Sequence, residues 1–217
     1  MEPFDIQLNS VATQTVIAFG GLYHGLMITP FEFFNILRNI PINKIFVRDL
    51  SSCWYCKGVS TQLNNPEKLA KHLKDILPEH NRLVTVGSSA GGFGAMIIGE
   101  MLDADVSISF SPQTSLDKET RLKYGDDRFN KYIDRIQNEI SDTKKLRLLN
   151  LLSFKKTAHH IYYCEEQRLD VLHANALSHK KNVYLHPIGC NIHAVARWLR
   201  DNDMLKNILY NHITGAN

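Results

Sequence analysis

Short apolar runs rich in β-branched side chains alternate along the chain with stretches whose apolar positions recur at helical spacing. Six of the runs read as strands: Thr15–Phe19, Lys44–Arg48, Leu83–Val86, Asp105–Phe110, Ile161–Cys164 and Asn182–Leu185. The first four end at turn signals, which are Gly20-Gly21, Asp49, Gly87 and Ser111-Pro112. Helices are predicted over Phe31–Arg38, Pro66–Ile76, Gly92–Leu102 and His193–Tyr210. Asn65 is placed to cap the second helix, with Pro66 at its first position. Gly92–Leu102 is apolar nearly all round, as a helix packed over a central strand must be. This alternation predicts an α/β fold: a mostly parallel sheet of about six strands flanked by helices. Residues 1–12 leave room for one short strand at most.

The segment from Gln113 to Lys156 breaks the rhythm. It is charged and helical in pattern, with Asp117, Lys118, Glu119 and Arg121, then Asp126, Asp127 and Arg128, and no convincing strand. Two readings stand: solvated helices bridging two strands, or a small helical cap insertion over 113–157 that covers an active site. A connection this long inside a compact fold favours the cap. The remainder, 1–217 with that insertion, reads as a single domain.

Charge adds little. The formal net charge of +3 is spread along the chain rather than gathered on one stripe, which argues against nucleic acid as a partner. No run approaches the roughly 18–20 apolar residues that a spanning helix needs. Met1-Glu2-Pro3-Phe4-Asp5 lacks the basic start and apolar run of a secretory signal, so the expected location is the cytoplasm. Cys53-Trp54-Tyr55-Cys56 is a C-x-x-C pair, but only the isolated Cys164 and Cys190 could complete a zinc site, and Lys57-Gly58 follows where a redox motif would open a helix. No metal is expected, and the four cysteines read as buried or incidental thiols too dispersed for a disulfide framework.

The chemistry is carried by Gly87-Ser88-Ser89-Ala90-Gly91-Gly92. A β-branched strand leads into this Gly-x-Ser-x-Gly turn, and a helix of small and apolar residues follows directly. The turn must be so tight that strand and helix nearly collide, so the positions two before and two after the serine have to be small. A glycine-rich turn binding a phosphate is the alternative, but the Lys-Ser/Thr ending of a P-loop is missing.

In this context the chain resembles the α/β-hydrolase superfamily, over about residues 15–212. The resemblance implies a serine enzyme with Ser89 as nucleophile, no cofactor, and a small-molecule acyl ester or thioester as substrate. An acyl-transfer serine needs a base with a near-neutral pKa, and His193, between the last strand and the last helix, is the candidate. His24 is its main competitor. Asp170, beyond the penultimate strand, completes the order Ser89, Asp170, His193 typical of that family; Glu165, Glu166 and Asp49 are rivals for the acid. The oxyanion hole is expected at the backbone N–H groups of Ala90 and of Gly21 or Leu22. Tyr23, His24, Trp54 and Phe93 are candidates to line a substrate pocket. An acyltransferase with the same triad, and a non-catalytic binding module on the same fold, remain alternatives.

Overall fold

The computed structural model describes residues 2–22 and 31–216. Among these residues the chain builds one seven-stranded sheet. Its strands are β1 (Phe4–Gln7), β2 (Gln14–Phe19), β3 (Asn43–Val47), β4 (Arg82–Ser88), β5 (Val106–Phe110), β6 (Ala158–Cys164) and β7 (Val183–Ile188). The order across the sheet is β1-β3-β2-β4-β5-β6-β7. Every pair is parallel except β1 with β3, which is antiparallel. The six expected strands are all present, and the short N-terminal segment adds the seventh as an edge.

Because successive side chains on a strand point to opposite faces, the sheet carries two apolar layers. On one face Ile17, Phe19, Ile45 and Val47 pack with α2 (Pro66–Ile76), α3 (Ala90–Met101) and α5 (Asn130–Glu139). On the other, Val16, Ala18, Phe46, Val84 and Ile108 pack with α1 (Phe34–Leu37), α8 (Val195–Asp201) and α9 (Leu205–Thr214). The helix α2 begins as its sequence demands: Pro66 opens it and the Asn65 side chain accepts a hydrogen bond from Lys68 N–H at 2.7 Å. Under α3 the strands turn small hydroxyl side chains, with Thr85 donating to Ala95 O (2.8 Å) and Ser109 to Gly92 O (3.1 Å). Those bonds satisfy buried polar groups while keeping the helix close to the sheet.

Two predicted helices differ from what forms. The first covers only Phe34–Leu37, because Phe33 sits at φ +66°, a left-handed conformation through which an α-helix does not run. The terminal one is two helices: Asp203 at φ +59° separates α8 from α9. Between β5 and β6 lie α4 (Lys118–Tyr124), α5, a 3-10 turn (Thr143–Leu146) and α6 (Leu148–Leu151). The helix α7 (Arg168–Asn175) follows β6.

Candidate active site

Parallel strands deliver their following loops to one end of the sheet, and in such sheets that end is where binding sites assemble. β4 is central, so the turn after it sits at the middle of that end. Ser89 occupies the apex with φ +52° and ψ −115°, a combination L-residues adopt only under strain. The glycines around it are dictated by space. A Cβ on Gly87 would lie 2.1 Å from Gly91 O, and one on Gly91 would lie 2.2 Å from Phe19 O. No side chain fits at either position.

One loop and one helix bring the expected polar side chains to this apex. His193, between β7 and α8, places Nε2 3.1 Å from Ser89 Oγ. Its Nδ1 is 2.8 and 3.0 Å from the two carboxylate oxygens of Asp170. An Nδ1–H donated to Asp170 leaves Nε2 as the acceptor facing the serine. Asp170 lies in the first turn of α7 with its side chain 1% exposed, whereas the His193 side chain keeps 27% of its surface and so stays in exchange with solvent. Burial raises the Asp170 pKa, but the bonds and charges of His193 and Arg128 outweigh it and hold the carboxyl below its ordinary value. Among the rival acids, Glu165 and Glu166 are exposed. Asp49 instead accepts from the N–H groups of Ser51, Cys53 and Tyr55, fixing the Cys53–Cys56 loop.

Other expected contacts need correction. The Gly21 N–H is not an open donor, because it hydrogen-bonds to Glu32 Oε2 at 2.7 Å. Burial pushes the Glu32 carboxyl up to about 7, against the lowering effect of that bond. Ala90 opens α3, where first-turn N–H groups have no intrahelical partner, and Leu22 is half-buried against the core. Phe93 is fully buried within α3 and packs in the core, so it does not line an open pocket. Trp54 is also fully buried, yet its ring meets Phe129 edge-on at 6.1 Å and its Nε1–H donates to Gln113 Oε1 at 2.8 Å. Tyr23 and His24 lie outside the described residues.

The cysteines also read differently in three dimensions. Cys164, at the end of β6, and Cys190, in the loop before His193, are joined by a disulfide, not isolated thiols. Sequence separation hid this, since β6 and β7 are neighbours and their C-terminal ends lie side by side. Cys53 and Cys56 stay free, and burial raises both thiols well above their ordinary pKa.

The sequence reading missed two polar side chains that enter the site. Gln113, buried just past β5, has Nε2 3.2 Å from Ser89 Oγ and 3.3 Å from His193 Nε2. Its Oε1 is also 3.2 Å from Ser89 Oγ. Its place beyond the strand next to β4 was the available signal. Arg128, between α4 and α5, donates from Nη1 to Asp170 Oδ1 at 2.9 Å, and the same nitrogen lies 3.3 Å from His193 Nδ1. Asp126 holds the other side of the guanidinium through bonds of 3.0 Å from Nε and Nη2. His173 is a second partner of Asp126, at 2.9 Å from Nε2, while its Nδ1 accepts from Thr114 N–H. Arg121 lies 3.4 Å from Asp126. Two carboxylates therefore face two guanidinium groups, and the buried charges balance. Nothing in the spacing of 113–157 marks Arg128, which reaches Asp170 only through the fold.

No protein-family model matches the sequence, and no curated protein matches it either. Solved structures do match. A capsule O-acetyltransferase of Neisseria meningitidis serogroup A superposes with a TM-score of 0.68 at 15% identity, over 94% of this chain and 90% of that one. Carboxyl esterase 2 of the fungus Tuber melanosporum gives 0.61 at 12% identity, over 96% and 81%. Mycobacterium tuberculosis MPT51 gives 0.60 at 11%, over 97% and 93%. The chain has the α/β-hydrolase fold. At these identities the likeness extends to architecture, and chemistry has to be argued from the residues.

Proposed function

We propose that the protein is a serine acyl hydrolase that cleaves an ester or thioester through an acyl-enzyme on Ser89. The observation that carries this reading is the continuous chain from Ser89 Oγ to His193 Nε2 (3.1 Å) and from His193 Nδ1 to Asp170 (2.8 Å), set on a strained turn. Ser89 Oγ attacks the acyl carbonyl while its proton passes to His193 Nε2, and the C–O or C–S bond to the leaving group breaks as His193 returns that proton to it. Water then adds to the acyl carbon and gives its proton to His193, and the C–Oγ bond breaks as His193 passes that proton to Oγ, releasing the acid and restoring Ser89. Asp170 orients the imidazole and stabilises its cation. The N–H groups of Ala90 and Leu22 are the donors assigned to the oxyanion.

The 113–157 segment acts in this reading as a cap, supported by Arg128 and Phe129, which it brings beside His193. Transfer to an alcohol instead of water is the second reading, favoured by the likeness to an O-acetyltransferase. A fluorophosphonate probe tests the shared core: wild type should be labelled at Ser89, and Ser89→Ala should lose labelling and ester turnover while keeping its melting temperature. Normal turnover by the alanine variant would end the proposal.

A further inference from the structure

The Gln113 amide lies against Ser89 Oγ. Its side chain is fully buried, and Trp54, itself fully buried, donates Nε1–H to Gln113 Oε1 at 2.8 Å. Indole nitrogen is only a donor, so it can be satisfied by the amide oxygen and not by the amide nitrogen. The carboxamide is thereby held one way round, with Nε2 and Oε1 both 3.2 Å from Ser89 Oγ and Nε2 alone reaching His193 Nε2, at 3.3 Å.

Ser89 Oγ and His193 Nε2 define where the second half of the reaction takes place. Once Ser89 Oγ carries the acyl group, the incoming acceptor must reach the carbonyl carbon bonded to Oγ and give its proton to His193 Nε2. An N–H group close to both points lies beside the acceptor atom. A hydroxyl oxygen has two lone pairs: one forms the new bond to carbon and the other can accept from Gln113. An amine nitrogen has one lone pair, and attack consumes it, so it has nothing to offer Gln113 and leaves a buried N–H unpaired.

Building on the acyl-enzyme reading above, we propose that Gln113 selects the acyl acceptor, donating from Nε2 to the attacking oxygen so that water or an alcohol is taken in preference to an amine. Atoms balance in the usual way. The acceptor O–C bond forms, the C–Oγ bond breaks, and the acceptor proton moves through His193 to Ser89 Oγ. Gln113 gives up no proton. The selectivity expected from one neutral hydrogen bond is about tenfold.

The test uses p-nitrophenyl acetate with the full chain, stopped-flow detection of the burst, and competing methanol and glycinamide as acceptors. Wild type should show a burst and should favour methanol over glycinamide more than free p-nitrophenyl acetate does in buffer. Gln113→Leu and Gln113→Glu should each slow acyl transfer to water and methanol about tenfold, change transfer to glycinamide by less than about twofold, and so lose the oxygen preference. The glutamate variant retains an oxygen for Trp54 Nε1, so a merely structural role for Gln113 would be rescued there. Equal slowing of transfer to methanol and to glycinamide would overturn the proposal, since an oxyanion donor serves both acceptors alike. A wild type that shows no preference over buffer also overturns it, whatever the variants do. If wild type forms no acyl-enzyme and takes no fluorophosphonate label, the reading of Ser89 itself fails; a labelled, bursting wild type with unaltered variants removes Gln113 alone.

Discussion

Reducing the Cys164–Cys190 disulfide should weaken both the fold and the site. The bond spans 26 residues of sequence. In the chain-entropy model, closing a loop of that length removes about 12 cal/mol/K from the unfolded ensemble, or about 3.5 kcal/mol at 25 °C. For a chain of this size each kcal/mol moves the melting temperature by about 2–4 °C, so dithiothreitol should lower it by about 7–14 °C. The bond also joins the end of β6, six residues before Asp170, to a position three residues before His193. Reduction therefore releases the two loops that hold the His193–Asp170 contact, and ester turnover should fall at temperatures where the protein is still folded. The assay is thermal unfolding and p-nitrophenyl acetate turnover with and without reductant. It is run on wild type, on Cys164→Ser with Cys190→Ser, and on Cys53→Ser with Cys56→Ser. The first double variant should melt like reduced wild type and ignore reductant, while the second should respond as wild type does. Alkylation of all four cysteines in non-reduced protein, with no shift in melting on reduction, would refute the reasoning.

Two further outcomes follow from the carboxylates. Asp170→Asn should preserve folding but favour the wrong tautomer of His193, lowering ester turnover by up to about 10⁴-fold, with Glu165→Gln and Glu166→Gln near wild type; collapse of either glutamine variant with an active Asp170→Asn would move the acid role. Glu100 is raised by burial but lowered further by bonds from His159 and Ser153, to about 2 against an ordinary 4.5. A carboxyl depressed in the folded state contributes stability above its unfolded pKa and loses it as pH falls through the folded value. Urea midpoints should thus decline between about pH 4.5 and 2, and Glu100→Gln should flatten that decline; an unchanged slope would show the contact contributes nothing.

The parallel sheet was legible because its central strands β2 to β5 are buried on both faces and so read as nearly unbroken apolar or β-branched runs. Pro66 and Asn65 placed α2 for an equally local reason, a cap and a ring that only a helix start accommodates. Local pattern failed where a left-handed residue that is not glycine decides the backbone. Phe33 shortens α1 with a residue type that gives no sign of a positive φ, and Asp203 divides the terminal helix with one that favours it but far more often sits elsewhere. The disulfide failed for the opposite reason. Nothing in a 26-residue spacing says that two strand ends are adjacent, and only the sheet order does.

The site divides along the same line. Ser89 could be found because its turn has steric demands written into consecutive residues, Gly87 and Gly91, each of which faces backbone at a distance no Cβ tolerates. His193 and Asp170 could be found because parallel strands send their following loops to one end, so chain order stands in for position. Gln113 and Arg128 obey neither rule. Gln113 matters through the direction of one amide, and that direction is set by Trp54, 59 residues away. Arg128 matters because Asp126 and Asp170 flank its guanidinium, and those three come from a helix connection and from α7. A carboxylate flanked by an arginine and a histidine shares its charge between them, so Asp170 holds His193 only as firmly as Asp126 and His173 keep Arg128 in its place. The geometry of the Ser89, His193 and Asp170 side chains is therefore set in part by the 113–157 segment, and that is the portion of the chain whose pattern is least informative about position.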